Sequence, residues 1–138
     1  PSEQNIEILA AQLDTNLVIL QHFSEVYWPE AGVNSLVNWD YKKGYLIKLN
    51  TAQTISISGT PAIGDSLAIV QGWNLIPALC SQCFPIPEML GENADKVKII
   101  RDGVGLHIYW PEAGVFTLNH LLTGRAYYLY ATEPFTLH

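Results

Sequence analysis

Two glutamates stand at matching places in the sequence and could form the carboxylate pair of a hydrolase. Glu30 and Glu112 each lie in the run YWPEAGV, which occupies residues 27–33 and returns letter for letter at residues 109–115. A glycosidase needs two carboxylates roughly 5–10 Å apart on either side of a cleft. The same residues also suit a turn, in which each carboxylate accepts backbone N–H groups. Because the copies are identical and an active site needs two different roles, the repetition favours the structural interpretation.

Cys80 and Cys83 form a C-x-x-C motif, the second arrangement that could do chemistry. They precede a predicted helix, as in thioredoxin-like proteins, but no βαβ pattern surrounds them. One such motif supplies only two of the four ligands of a zinc site, and the four histidines show no ligand spacing. The motif therefore favours a local disulfide or two buried thiols.

Signatures of the common enzyme classes do not occur in the sequence. It contains no Ser-centred nucleophile elbow, no P-loop and no Rossmann glycine pattern. Residues 102–105 include too few acidic side chains for a calcium loop. We therefore expect that the chain is not an enzyme and uses neither a metal ion nor a cofactor, with a hydrolase built on Glu30 and Glu112 as a remote alternative.

Aromatic residues differ between the two copies and mark candidate binding positions. The period of two along residues 126–131 puts Tyr128 and Tyr130 on one face, where the first copy has Leu and Lys. Such tyrosines could stack on sugars or anchor a protein partner, or they could pack across strands on a buried face. Full burial of both would exclude a binding platform. Phe116 and Trp39 also differ between the copies and complete the set of candidates.

Composition limits the classes of partner. The chain has 138 residues, 49% of them hydrophobic, and a formal net charge of −6 with only seven Lys and Arg. Binding to phosphate backbones needs clustered basic residues, so nucleic acid is excluded and basic membrane-surface binding is disfavoured. No stretch is long and apolar enough to span a bilayer. The start PSEQ carries no signal peptide, so the sequence suggests a mature or excised fragment.

The duplication extends beyond YWPEAGV. An ungapped offset of 82 residues, from position 27 to position 109, also aligns apolar positions on either side of this run. The aligned pairs include Val18 with Ile100, Leu36 with Leu118, Tyr45 with Tyr127 and Ile47 with Leu129. Two copies of one supersecondary unit explain this agreement best.

Each copy is predicted to begin with a short helix and to continue in strands. Apolar residues at positions 6, 9, 10 and 13 draw one helical face, and Ser2 can cap that helix. Pro87 suits the first turn of the second helix, and Gly91 keeps that helix short. Strands are predicted at residues 17–21, 25–28, 44–49 and 54–58 in the first copy, at 97–101, 106–110, 126–131 and 135–137 in the second, and at 66–70 and 73–78 between them.

The prediction is a mainly β, β-rich α+β fold with two sequence-related copies. The first copy spans residues 1–60, a connecting segment spans 61–83 and the second copy spans 84–138. Each copy has a short helix and four to five antiparallel strands, and the copies pack as a pseudo-twofold sandwich or barrel-like unit. Trp28, Trp110 and Trp73 are predicted to face the core, with Tyr27 and Tyr109 pointing away.

Together the motifs resemble a known repeat. GWNLIP at residues 72–77, VYWPEAGVNSL at 26–36, NWDYKKGYLIKL at 38–49 and TISISGT at 54–60 are similar to a GWN/YWP-type β-rich repeat of large secreted or cell-surface proteins of Bacteroidetes-type bacteria. The GWN strand precedes only the second copy, so either the chain is part of a longer array or both halves share this strand. The second copy departs from the pattern, with Phe116 where the first has Asn34.

The resemblance implies a location and a role. It implies a secreted or cell-surface protein, and it supplies no catalytic residues. The resulting hypothesis is a non-catalytic structural or interaction module of an exported bacterial surface protein. The alternative is a carbohydrate-binding module that uses the aromatics of the second copy. A glycan or another surface protein would be the partner, beside other domains of a larger parent chain.

Overall fold

Residues 3–60, 62, 64–79 and 84–138 are described by the computed structural model of this chain. They divide into two units, Pro1–Pro61 and Ala62–His138. Antiparallel strands dominate both units, and each unit carries one short α-helix. The predicted mainly β class is confirmed. Residues 62–79, which the sequence placed between the copies, contribute two strands to the second unit.

The first unit, called unit 1, has one helix and four strands. Their bounds are α1 Ile6–Ala10, the 3₁₀ helix Ala11–Asn16, β1 Leu17–His22, β2 Glu25–Trp28, β3 Val33–Asn34 and β4 Leu46–Leu49. The strands form one sheet in the order β3-β2-β1-β4. Asn5 caps α1, since its Oδ1 accepts from the backbone N–H of Glu7 at 2.9 Å. The expected cap, Ser2, lies outside the described residues.

The second unit, called unit 2, repeats this order and adds strands at both ends. Its elements are β5 Leu67–Ile69, β6 Gly72–Pro77, α2 Ile86–Leu90, the 3₁₀ helix Gly91–Lys96, β7 Val97–Asp102, β8 Ile108–Trp110, the 3₁₀ helix Pro111–Ala113, β9 Val115–Phe116, β10 Ala126–Ala131 and β11 Phe135–Leu137. The main sheet runs β6-β10-β7-β8-β9, and β11 pairs with β5. Both main sheets are open at their edges.

The two units correspond at two different offsets. Up to the first hairpin the equivalent elements lie 80 residues apart, as α1 and α2 or β1 and β7 show. Two residues are inserted between β7 and β8, and from there the offset is 82. The predicted pairing of Val18 with Ile100 is therefore wrong, and Leu20 is the equivalent of Ile100. An insertion of two residues leaves the alternation of strand faces unchanged, so the ungapped alignment kept its phase.

An equivalent tyrosine, half-buried as Tyr45 and buried as Tyr127, has the same role in both units. The Tyr45 hydroxyl oxygen accepts from the backbone N–H of Asp40 at 2.8 Å. The Tyr127 hydroxyl oxygen accepts from the backbone N–H of Leu122 at 2.9 Å. Each tyrosine thus packs its ring inward and holds the loop that precedes its own strand, which explains why the copies share this residue.

The core of unit 2 is continuous, whereas that of unit 1 is divided. In unit 2 a single cluster joins the helix and the main sheet to β5 and β6 through Leu67, Ile69 and Ile76. In unit 1 the buried side chains form two smaller clusters, one around Leu20 and one around Leu17. No strands equivalent to β5 and β6 are present among the residues of unit 1 that the structure describes.

The predicted strand at residues 54–58 is wrong. In unit 2 the equivalent strand β11 forms because β5 lies beside it. In unit 1 side-chain amides hold this segment instead. The Gln12 amide bonds both backbone groups of Ser56, at 2.9 and 3.1 Å, and Asn16 Nδ2 donates to the Thr51 carbonyl at 3.0 Å.

The predicted faces of the YWP strands are reversed. Trp28 is exposed and Trp110 is only partly buried, while Tyr109 is buried in the core and Tyr27 packs against both clusters of unit 1. The strand register shows that the tyrosine face is the inner one, because Tyr109 lies opposite the fully buried Ile100. Alternation along a strand separates two faces but does not say which face is inner.

The equivalent residues Ile47 and Leu129 give a matched test of the difference between the divided core of unit 1 and the continuous core of unit 2. Ile47 is 52% exposed and Leu129 is 0% exposed. We expect Leu129→Ala to reduce the free energy of unfolding by about 2–5 kcal/mol, because it opens a cavity in a closed core. Ile47→Ala should cost less than about 1 kcal/mol. Urea unfolding of both variants measures the two losses of unfolding free energy. Equal losses would contradict a core that is less complete in unit 1 than in unit 2.

Candidate functional site

The candidate site includes the GWN segment at residues 72–74, whose tryptophan faces outward. Gly72 has a φ of 94°, which favours glycine and starts the strand from a tight turn. The buried Asn74 closes this turn, since its Oδ1 accepts from the Val70 N–H at 3.0 Å and its Nδ2 donates to the Val70 carbonyl at 2.8 Å. With Asn74 directed inward, Trp73 lies on the outer face and is 44% exposed. The predicted core position of Trp73 is wrong.

Cross-strand register brings the tyrosines of β10 to this tryptophan. Tyr130 lies directly opposite Trp73, and Arg101 of β7 lies opposite Tyr128. The Trp73 and Tyr130 ring centroids are 5.3 Å apart, and those of Trp73 and Tyr128 are 6.1 Å apart. Trp73, Tyr128, Tyr130 and Arg101 are called the Trp73 cluster below.

The rings of the Trp73 cluster do not form a flat platform. The plane of Trp73 makes angles of 90° with Tyr128 and 79° with Tyr130, so the rings meet edge to face. The Arg101 guanidinium lies 4.3 Å from the centroid of Tyr128 and 5.5 Å from that of Trp73. Both tyrosines are half-buried rather than fully buried. The cluster is therefore a compact cation–π assembly at the surface of the sheet.

The two-residue insertion of unit 2 lies next to Arg101. Arg101 Nη1 donates to the carbonyl oxygen of Asp102 at 3.2 Å. The Asp102 carboxylate in turn accepts from the N–H of Leu106 at 2.9 Å and bonds His107 Nδ1 at 2.8 Å. Burial alone would raise the pKa of this carboxyl, but the hydrogen bonds from His107 and the loop backbone lower it below its ordinary value. The ordered loop thus fixes the backbone that carries Arg101.

The other two candidate binding residues lie elsewhere. Phe116 is exposed on β9, three strands from β10, and it contacts Tyr109, whose side chain faces the core. Trp39 belongs to unit 1, where it stacks on Tyr45 with ring centroids 4.3 Å apart. It packs against the cluster around Leu20. Trp39 therefore completes the core of unit 1 at the position that Leu121 fills in unit 2.

The two glutamates of the YWPEAGV runs lie in exposed turns of different units. Glu112 carries an ion pair with Lys98 at 3.7 Å. Glu30 lines a groove of about 900 Å³ in unit 1, together with Glu7 and Asp14. All these carboxyl groups are exposed. A general acid of a glycosidase needs apolar burial that keeps its carboxyl protonated, which these positions do not provide.

Sequence reasoning found two members of the Trp73 cluster and missed the other two. Alternation along β10 placed Tyr128 and Tyr130 on one face. Trp73 and Arg101 join them only through the pairing of β6 and β7 with β10. The usable signal was the alternation in GWN itself, where a buried Asn closing a turn requires the preceding Trp to face outward.

The lowered pKa of Asp102 predicts a pH-dependent contribution to stability. A depressed carboxyl pKa adds stability above the unfolded value of about 3.9, and this is lost as the pH falls through the native pKa. We therefore expect Asp102→Asn to be less stable than the wild type at about pH 7. The deficit should shrink steadily between about pH 5 and about pH 2. Urea unfolding across this range measures it, and a deficit independent of pH would show that the carboxylate charge plays no part.

Three further observations bear on function. No helix in the described part of the chain is long and apolar enough to cross a membrane. Within the same residues, which do not include Cys80 and Cys83, no group of three or more metal-binding side chains is placed to hold an ion. Comparisons with protein-family models, curated proteins and solved structures gave no match. A function must therefore be inferred from the geometry of the chain itself.

Proposed function

We propose that this chain is a non-catalytic interaction module of an exported bacterial surface protein. The observation that supports this proposal is the Trp73 cluster, which presents Trp, Tyr and Arg side chains together on an ordered sheet. These three residue types are enriched among the few residues that contribute most of the binding energy at protein interfaces. Strand pairing and the Asp102 loop hold the cluster in place, so little side-chain freedom remains to be lost on binding.

The chemistry of the cluster favours a protein partner over a sugar. Carbohydrate rings stack flat against the open faces of aromatic side chains. Here the rings are perpendicular, and Arg101 occupies one face of Tyr128. A protein surface with an apolar pocket for Trp73 and an acidic or carbonyl group for Arg101 fits this arrangement better. Carbohydrate binding through Trp73 alone is the second candidate, because that ring is exposed.

Two features support a role without catalysis. The carboxylates that could serve a hydrolase lie in exposed turns, and the turns of the two units are built alike. The Gly32 N–H donates to the Pro29 carbonyl at 3.0 Å, as the Gly114 N–H does to Pro111. These runs therefore have a shared structural task that accounts for their identity.

The proposed location depends on the resemblance to GWN/YWP-type repeats. The GWN letters have a structural meaning here, since Gly72 permits the turn, Asn74 closes it and Trp73 faces outward. A short motif of this kind can recur wherever the same turn between two strands is needed. Secreted or cell-surface location is the context in which repeats of this pattern occur, and we adopt it as part of the proposal.

A matched pair of tryptophans tests the proposed contact surface. A random-peptide phage library is selected on the wild-type chain, and enriched peptides are measured against Trp73→Ala and Trp28→Ala. Trp28 is a suitable control because it is 42% exposed, nearly the same as Trp73. We expect Trp73→Ala to weaken binding about 30-fold, the effect of losing an anchor worth about 2 kcal/mol, and Trp28→Ala to leave it within about twofold.

Other outcomes distinguish the alternatives. Enriched peptides that bind both variants equally would contradict a contact surface at Trp73. A glycan array probed with the same proteins separates the second candidate. Binding of an oligosaccharide to the wild type that is lost in Trp73→Ala would replace the protein partner by a carbohydrate.

A further inference from the structure

The edge strand β4 of unit 1 lacks a neighbour that its counterpart has. β10 lies between β7 and β6 in unit 2, whereas among the described residues β4 pairs with β1 alone and ends the sheet. The pairing that both strands share is identical in register. Ile47 lies opposite Leu20 just as Leu129 lies opposite Ile100. Both ladders also carry a bulge just beyond the next residue pair. The difference between them is therefore confined to the open side of β4.

Apolar side chains are uncovered on this open side. Ile47 is 52% exposed where Leu129 is fully buried. Ile55 is partly exposed where its equivalent, Leu137, is buried. In unit 2 these positions are covered by Leu67, Ile69, Ile76 and Ala78, all in one cluster with Leu129 and Leu137. They belong to the strand–turn–strand segment at residues 67–78, called the β5–β6 arch because β5 pairs with β11 and β6 pairs with β10. An edge strand with exposed apolar residues is a template for strand addition.

No equivalent of the β5–β6 arch lies among the described residues of unit 1, which explains the divided core of that unit. The two clusters of unit 1, around Leu20 and around Leu17, correspond to parts of the single cluster of unit 2. Tyr27 packs against both and is only half-buried, while its equivalent Tyr109 is buried. An arch placed on β4 would supply the missing side chains and join the two clusters.

We propose that the open side of unit 1 binds a strand–turn–strand segment with the chemistry of the β5–β6 arch, supplied by a neighbouring repeat of the same type. Its second strand pairs antiparallel with β4, and its first strand pairs with residues 53–55, as β5 pairs with β11. The arch carries apolar residues on its inner face and a turn closed by Asn. This site is separate from the Trp73 cluster, so neither proposal depends on the other.

The register of unit 2 also predicts the contact on the outer face. Trp73 lies opposite Tyr130, and the position of Tyr130 is occupied by Lys48 in unit 1. The tryptophan of a bound arch would therefore lie beside Lys48, where its ring can accept a cation–π contact. When no segment is bound, the charge of Lys48 disfavours unselective strand pairing at this edge.

The β5–β6 arch of this chain itself is a poor source for the site. Leu67, Ile69 and Ile76 are buried in unit 2, so releasing them to a second molecule would expose as much apolar surface as docking covers. An arch that is not already buried has no such cost. This favours a neighbouring repeat over exchange between two copies of the chain.

The test uses a fluorescein-labelled synthetic peptide of residues 64–79 and the full chain. Fluorescence anisotropy measures binding to the wild type, to Ile47→Asp and to the control Ile8→Asp. Ile8 is also exposed, at 59%, but lies in α1, and its equivalent in unit 2 is the exposed Glu88. We expect saturable binding that Ile47→Asp weakens at least about tenfold, because it would bury a charge under the bound arch, while Ile8→Asp stays within about twofold.

A peptide variant keeps the test independent of folding in the chain. Ile76→Asp in the peptide places the charge on the inner face of the arch and should also weaken binding at least about tenfold. Absence of saturable binding, or equal binding to the wild type and Ile47→Asp, would overturn the proposal, since the latter indicates exchange into unit 2. Self-association of the chain that is lost in Ile47→Asp would also overturn it, because a second copy would then occupy the edge.

Discussion

The pairing of β6 with β10 determines both the core and the surface of unit 2. The ladder runs over six residue pairs, from Ala126 opposite Pro77 to Ala131 opposite Gly72. Its inner side buries Leu129 and Ile76 in one continuous core, and its outer side brings Trp73 to the tyrosines. Because side chains alternate along each strand, one ladder produces the two results together. Asn74 sets where this ladder begins by closing the turn from β5.

Unit 1 shows the consequence of the same fold without that ladder. Its β4 has four residues where β10 has six, and its buried side chains separate into two clusters. Gln12 and Asn16 hold residues 51–56 through side-chain amides in place of a strand partner. These amide contacts are exposed, so each contributes less than the buried apolar surface it replaces. The comparison explains why the Trp73 cluster forms in unit 2 and why β4 is an edge strand in unit 1.

The sequence predicted the elements well and the tertiary relations less well. Apolar alternation located most strands, and GYLIKL and AYYLYA were correctly matched as equivalent strands. The reversed faces of Trp28 and Tyr27 show the limit, since a period of two distinguishes faces without identifying the inner one. Similarly, the inserted pair of residues before β8 was invisible to an ungapped alignment because an even shift conserves the faces.

The Trp73 cluster required information that one strand cannot carry. Tyr128 and Tyr130 followed from the alternation in β10, but Arg101 and Trp73 depend on register between strands far apart in the sequence. Only the long-range ladders fix that register. The open edge of unit 1 is a similar case, because the exposure of Ile47 is informative only by comparison with the buried Leu129.

Amide hydrogen exchange tests most directly whether β6 closes unit 2 while the matching edge of unit 1 stays open. The measurement compares residues 46–49 with residues 128–131 in the wild-type chain under native conditions. A strand paired on both sides exchanges its amides only through larger opening events, whereas an edge strand exposes part of its amides to water. We predict that the slowest amides of residues 128–131 exchange at least about tenfold more slowly than those of residues 46–49. Equal protection of the two strands would contradict the account.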